Sequence, residues 1–247
     1  MPFVREGVDL VGGDWEDVQR IAAVLEELRG RRVVRVAGTD FPRAKVAWKM
    51  AALSQALLYR NLALVDAVSL AWNARGGLAS ALAARSLTET VALTNDFAGK
   101  VCKRAKAGNL DAIDEVTMRH TFATKLPRLD GDVVDPAIQA VNVLTMVDKL
   151  DGVIPGVRST YDFLSEICHP NHFGTTQMFG RVVREEFAFD LAQDDAWSKP
   201  SLFHTIHASA GLVTLVPDLL DDIERVMPEI IRLNEEIPLM PDRSRRR

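Results

Sequence analysis

The stretch Tyr161-Asp162-Phe163-Leu164-Ser165-Glu166-Ile167-Cys168-His169-Pro170-Asn171 brings together a phenol, a hydroxyl, a carboxylate, an imidazole and a carboxamide. On one helix Glu166 and His169 are three apart and within reach of each other. A carboxylate beside an imidazole orients the ring and raises its basicity, which suits a general base. The same pairing suits a structural hydrogen bond, and a histidine in a last helical turn also answers unpaired carbonyls. A third role is metal ligation. Glu166-x-x-His169-x-x-His172 and His204-x-x-His207 carry spacings that zinc or iron can use. Pro170 takes His172 off the helix in this reading, and no second Glu-x-x-His of the di-iron bundle type is present in the sequence. No metal and no other cofactor is therefore expected.

The helix that must present these groups spans 157–169. Pro155-Gly156 precedes it and Pro170 ends it. Val157, Tyr161, Leu164 and Cys168 form its apolar stripe. Arg158, Asp162, Glu166 and His169 form its polar one, with Ser165 at the border. Two other helices carry charge on apolar stripes. Leu53, Leu57, Arg60, Leu64, Ala67 and Ala71 follow helical spacing in one. Leu78, Leu82, Arg85, Glu89 and Leu93 do so in the other. Arg85 and Glu89 share a face four residues apart. A buried charge needs a partner, so these residues read either as salt bridges between core helices or as a polar cleft for an anion. Arg85 and Glu89 are expected to be partly buried, one of them reaching the motif helix.

The remaining elements are also helical by periodicity. Asp14 caps a first helix that ends at Gly30, and 31–38 reads as a short strand or an extended lead-in. Asp40-Phe41-Pro42 opens a long helix to about Asn73, which Gly76-Gly77 breaks. A third runs to Ala107 before Gly108-Asn109, and a shorter one covers 110–125. Pro127 to Asp132 is a loop, and Asp135-Pro136 opens a helix ending near Asp151-Gly152. Residues 170–198 look irregular, with Arg181–Arg184 and Glu186–Phe189 able to pair as a hairpin. Lys199-Pro200 opens a last long helix to about Met227, kinked at Pro217. The expectation is an all-α fold: a bundle of five to seven helices with a short irregular or hairpin insertion near 170–198. Residues 1–40 would form an N-terminal helix and lead-in, 41–235 the main bundle, and 236–247 a disordered basic tail.

Composition supports a large core: 247 residues, 47% hydrophobic. A net charge of −4 argues against a protein that coats nucleic acid non-specifically. Two cysteines are too few for a disulfide framework, which points to a cytoplasmic setting. Neither a signal-peptide core nor a membrane-length apolar run is expected.

The Arg85-Ser86-Leu87-Thr88-Glu89 helix, together with the later Tyr-Asp-x-Leu-Ser-Glu-x-x-His-Pro-Asn helix, resembles a group of uncharacterised bacterial all-helical proteins. More loosely it resembles the HEPN superfamily. The resemblance spans roughly residues 45–215. Many HEPN proteins are metal-independent endoribonucleases of toxin or phage-defence systems, marked by an arginine four to six residues before a histidine. In this chain the nearest upstream arginine to His169 is Arg158, roughly 16 Å away along a helix axis. The resemblance implies a protein that binds or cleaves RNA or a nucleotide in stress or phage defence. His169 would be the acid or base, Glu166 would orient it, and Arg85 or Arg158 would steady a phosphate. Tyr161, Ser165, Asn171, Arg60 and Glu89 would complete a substrate site. The partners to test are RNA or a nucleotide and a second copy of the chain; no membrane partner is expected. Two other classes remain open: a non-catalytic helical interaction module whose polar motif is structural, and a metal-dependent helical enzyme using the His pairs.

Overall fold

The computed structural model describes residues 3–124 and 142–236, with the backbone alone of 128–129 and 132–133. The opening expected at Asp135-Pro136, the tail from 237 onward and much of the loop after Pro127 lie outside the described residues, while the end expected near Asp151-Gly152 is that of the helix Val143–Asp151.

The fold is all-α with a short hairpin insertion. The helices are α1 Arg5–Leu10, α2 Trp15–Gly30, α3 Lys45–Asn73, α4 Gly77–Lys106, α5 Leu110–Phe122, α6 Val143–Asp151, α7 Val157–Cys168, α8 Thr176–Phe179, α9 Pro200–Gly211 and α10 Val216–Glu235. β1 Arg128–Leu129 pairs antiparallel with β2 Asp132–Val133, and β3 Gly180–Val183 with β4 Ala188–Leu191.

Local chemistry accounts for most helix ends. The Asp14 carboxylate accepts from the Glu16 N–H at the start of α2, and Asn109 accepts from the Ala112 N–H at the start of α5. Several boundaries differ from expectation: α6 starts at Val143 behind an Asn142 cap, and β4 runs Ala188–Leu191 where Glu186–Phe189 was expected, because Arg184–Glu186 forms a 3₁₀ turn. Residues 33–37 are extended but form no ladder; the Val33 N–H is answered by the Gln55 side chain instead. α3 begins at Lys45 rather than near Pro42, because Gly38–Asp40 forms a 3₁₀ turn and Arg43 sits at φ +62°, outside the helical region. The last helical stretch is two helices, α9 and α10, separated by a 3₁₀ turn at Leu212–Leu215. Pro217 does not kink a helix. It lies in the first turn of α10, where a missing N–H costs no intrahelical bond.

The chain divides into two compact units, each assembled from separated stretches. One comprises Met1–Arg32, Ala56–Asp96 and Asn142–Leu219; the other comprises Val33–Gln55, Phe97–Val141 and Leu220–Arg247. In the first, Leu25 and Leu28 of α2, Leu58 and Val65 of α3, Leu87 of α4 and Leu164 of α7 are fully buried. Trp72 packs on Phe203 with ring centroids 4.9 Å apart, and Trp197 donates to the Trp72 carbonyl at 3.0 Å. In the second, Met50, Phe97, Val101 and Ile113 are fully buried, and Lys49 pairs with Asp114.

The β3–β4 register opposes Arg181 to Asp190 and Val182 to Phe189. Opposed residues share a face. One face therefore carries the Arg181–Asp190 ion pair, and the other carries Val182, Phe189 and Leu191, all exposed. No helix among the described residues is long and apolar enough to cross a membrane.

Candidate functional site

α7 starts at Gly156, whose φ of +98° only glycine adopts cheaply. No side chain of the helix caps this end. The Asp151 carboxylate does so from the preceding turn, accepting from the Gly156 N–H at 3.0 Å and the Arg158 N–H at 2.9 Å. The other end is set by Pro170. The residue before a proline is pushed out of the helical region, and His169 accordingly sits at φ −85°, ψ 149°.

That single backbone change decides the fate of the expected Glu166–His169 pair. It turns the chain after His169 so that Asn171, not His169, comes to the Glu166 carboxylate. Glu166 instead accepts from the Asn171 amide at 2.7 Å. Asn171 also accepts from the Gly174 N–H at 3.0 Å, and its carbonyl receives the Thr175 N–H at 3.0 Å. The turn is tight: a Cβ on Gly174 would collide with the carbonyl oxygens of His169 and Ile167. Asn171 and Glu166 thus build the turn that follows α7. The His169 imidazole is exposed and makes no hydrogen bond or ion pair with any described residue. The His172 ring bonds the Thr176 hydroxyl at 2.7 Å.

On its other side α7 meets α4, and here the expectation for Arg85 and Glu89 holds. Arg85 donates through Nε to the Ser165 hydroxyl at 3.0 Å and through Nη2 to the Tyr161 phenol at 2.9 Å. The phenol donates to Glu89 at 2.9 Å, and Arg85 pairs directly with Glu89 at 3.2 Å. The Ser165 hydroxyl donates in turn to the Tyr161 carbonyl at 2.9 Å. Each of the four side chains is therefore bonded within the cluster or to the backbone of α7. Burial pushes the Tyr161 pKa up and the Glu89 carboxylate adds to the shift. Burial works against the Arg85 charge, but Tyr161 and Glu89 outweigh it and its pKa stays above the ordinary value. Cys168 is half-buried; burial raises its thiol pKa against the pull of Arg85, so it stays protonated at neutral pH.

Arg158 does not project toward this cluster or toward His169. It is bound to Asp148 and, at 2.9 Å, to Asp162. Arg60 is a correction to the stripe reading: its side chain is exposed and reaches Thr90 at 3.0 Å. Leu53 and Leu57 of that stripe are buried, but beyond them the buried face of α3 runs through Leu58, Asn61, Val65 and Trp72, with Asn61 one residue step, about 100°, around the helix from Arg60. The polar residue in the core is thus Asn61. Its amide donates to the Leu57 carbonyl and to Thr94, while its buried Oδ1 has no partner among the described residues.

The His204/His207 pair does not converge on a common point. His204 is exposed, whereas His207 stacks on Phe203 with centroids 5.3 Å apart. Burial depresses the His207 pKa. Among the described residues no group of three or more His, Cys, Asp or Glu side chains is placed to hold a metal ion.

The sequence reading passed over a cavity beside the motif. About 290 Å³ of space lies between the outer face of α7 and the start of α9, walled by Phe163, Ile167, Phe173, Met178 and Leu202. Gln177, Lys199 and Ser201 supply its polar lining. Its one sequence signal was two phenylalanines, Phe163 and Phe173, flanking a polar motif and both substantially exposed. No family model, no curated protein and no solved structure matches the chain.

Proposed function

We propose that the protein is a non-catalytic helical binding module, set in the cytoplasm, whose polar motif locks α7 in place and whose ligand surface is the apolar cavity beside it. One observation carries this reading. Arg85, Glu89, Tyr161 and Ser165 are bonded to one another in a single cluster, which ties the inward polar face of the motif helix to α4. The groups meant to assist His169 are spent elsewhere: Glu166 on Asn171 and Arg158 on two carboxylates. A largely apolar cavity with a few polar groups is the usual form of a small-ligand site. Both cysteines are free thiols, in keeping with a reducing compartment. The test is a titration of the labelled protein with benzyl alcohol, followed by nuclear magnetic resonance. Shifts should concentrate at Phe163, Ile167, Phe173 and Leu202. Absence of any shift there at millimolar probe removes the reading.

A second reading is favoured by the exposed imidazole of His169, which has no bond to any described residue. It is that of an HEPN-like protein that binds or cleaves RNA or a nucleotide, alone or as a homodimer, in stress or phage defence. Here the test is RNA cleavage in the presence of chelator, wild type beside His169→Ala. Cleavage by the wild type alone supports this reading over the first, and no cleavage by either removes it.

A further inference from the structure

We infer that the cavity between α7 and α9 takes a small amphipathic carboxylic acid, its tail among the phenylalanines and its carboxylate at Lys199 and Ser201. The inference rests on the binding-module reading and adds the chemical class of the ligand.

Size comes first. At roughly 30 Å³ for each water-sized group, 290 Å³ accommodates about ten non-hydrogen atoms. That is the size of octanoate or phenylpropionate. The walls come next. Phe163 on α7 and Phe173 in the following turn remain 36% and 40% exposed, so an apolar tail would cover surface that the fold itself leaves wet. Ile167, Met178 and Leu202 are buried and form the floor.

The head group follows from the unused hydrogen-bonding capacity. Lys199 holds three N–H donors and directs them to only two acceptors, Asp194 at 3.0 Å and the Asp195 carbonyl at 3.5 Å. The Ser201 hydroxyl and the Gln177 amide make no hydrogen bond with any described residue. The two carboxylates beside Lys199 are already engaged, Asp194 by Lys199 and by the Leu78 N–H at 2.7 Å, and Asp195 by the Trp197 N–H at 3.2 Å and by Arg75 at 3.4 Å. The lining therefore offers spare donors and no spare anionic acceptor. A ligand head that accepts several hydrogen bonds and carries negative charge fits this imbalance; an ammonium head would meet Lys199 as a like charge.

The test compares four probes of matched tail, octanoate, octanol, octanamide and octylammonium, titrated into the full-length protein by calorimetry. Each runs against wild type, Lys199→Gln, Phe173→Ala and Gln177→Ala. The expected result is octanoate binding about ten-fold more tightly than octanol or octanamide, with octylammonium weakest. Lys199→Gln should erase the octanoate advantage while leaving octanol within about two-fold, the scale of one charge-assisted hydrogen bond. Phe173→Ala, at an exposed loop position, should weaken all probes together. Octanol equal to octanoate in wild type would overturn the carboxylate assignment while leaving the binding-module reading standing. Failure of every probe to bind would overturn both. Gln177→Ala, also at an exposed position, guards against misfolding of the Lys199 variant: it should lower octanoate affinity more than octanol affinity, and equal losses count against the head-group placement.

Discussion

The two sides of one helix contrast sharply. Along its inner side α7 gives up its chemistry: Tyr161 and Ser165 are bonded to Arg85 and Glu89 of α4, and each partner answers another. Past Cys168 the backbone is just as tightly determined, by Pro170, Asn171 and Gly174, yet the His169 side chain is left to water. Rigidity and availability are therefore separate properties. A polar residue on an inward face must be paired, because an unpaired polar group there costs about 1–3 kcal/mol. A polar residue after the helix stop carries no such obligation, and only there does the motif keep an uncommitted group.

The largest expected effect tests the claim that the outer end is rigid. Gly174→Ala drives a Cβ onto the carbonyls of His169 and Ile167, both backbone atoms that cannot swing aside. It should lower stability by about 3 kcal/mol, the upper part of the overpacking range, read from the urea midpoint. An unchanged midpoint would mean that the turn yields and the contrast is false.

Next comes the inner side. Arg85→Ala should cost about 1–2 kcal/mol, below the ~3–5 kcal/mol of a fully buried pair. The reason is that the Arg85 and Glu89 side chains keep 31% and 26% of their exposure. Chemical denaturation of the variant beside wild type measures it.

Tyr161→Phe should cost about 1 kcal/mol at neutral pH, and its pH profile is diagnostic. Burial first, and Glu89 second, hold the phenol pKa above its usual 10.0. As pH rises the unfolded chain loses this proton before the folded one. The stabilisation is complete below about pH 10 and falls away as pH climbs through the folded-state value. The gap in melting temperature between wild type and Tyr161→Phe should therefore narrow above pH 10. A gap that stays constant to pH 11 would show that the phenol is not held as described.

Asn171→Ala removes the bonds to Glu166 and to the Gly174 N–H and should cost about 1 kcal/mol, seen as a lower thermal midpoint. His169→Ala should be the smallest, within about 0.5 kcal/mol of wild type. A larger loss would reveal that His169 is held after all, and the two sides of α7 would no longer differ.

The sequence by itself determined what local backbone chemistry controls. Asp14 and Asn109 cap α2 and α5, Gly108 and Asn109 close α4, and Pro170 ends α7, each through groups a few residues apart. The Arg85–Glu89 pair was legible for the same reason, since four residues on a helix are adjacent in space. Periodicity also carried the all-α class and the insertion, because the period of an apolar stripe follows from the helix itself. The tertiary structure decided whatever depends on which surface a helix meets. Neither Arg60 nor Asn61 announces whether it faces the core; a rotation of about 100° exchanges them, and packing of α3 against α4 buries Asn61 beside Thr94. Glu166 had His169 at helical reach, and the turn after Pro170 gave it to Asn171 instead. The cavity at Phe163 and Phe173 exists only because α9 begins where it does, with Lys199, Ser201 and Leu202 brought there from some thirty residues along the chain. Such contacts are set by the burial of whole faces against one another, a long-range term that no spacing within a single segment encodes.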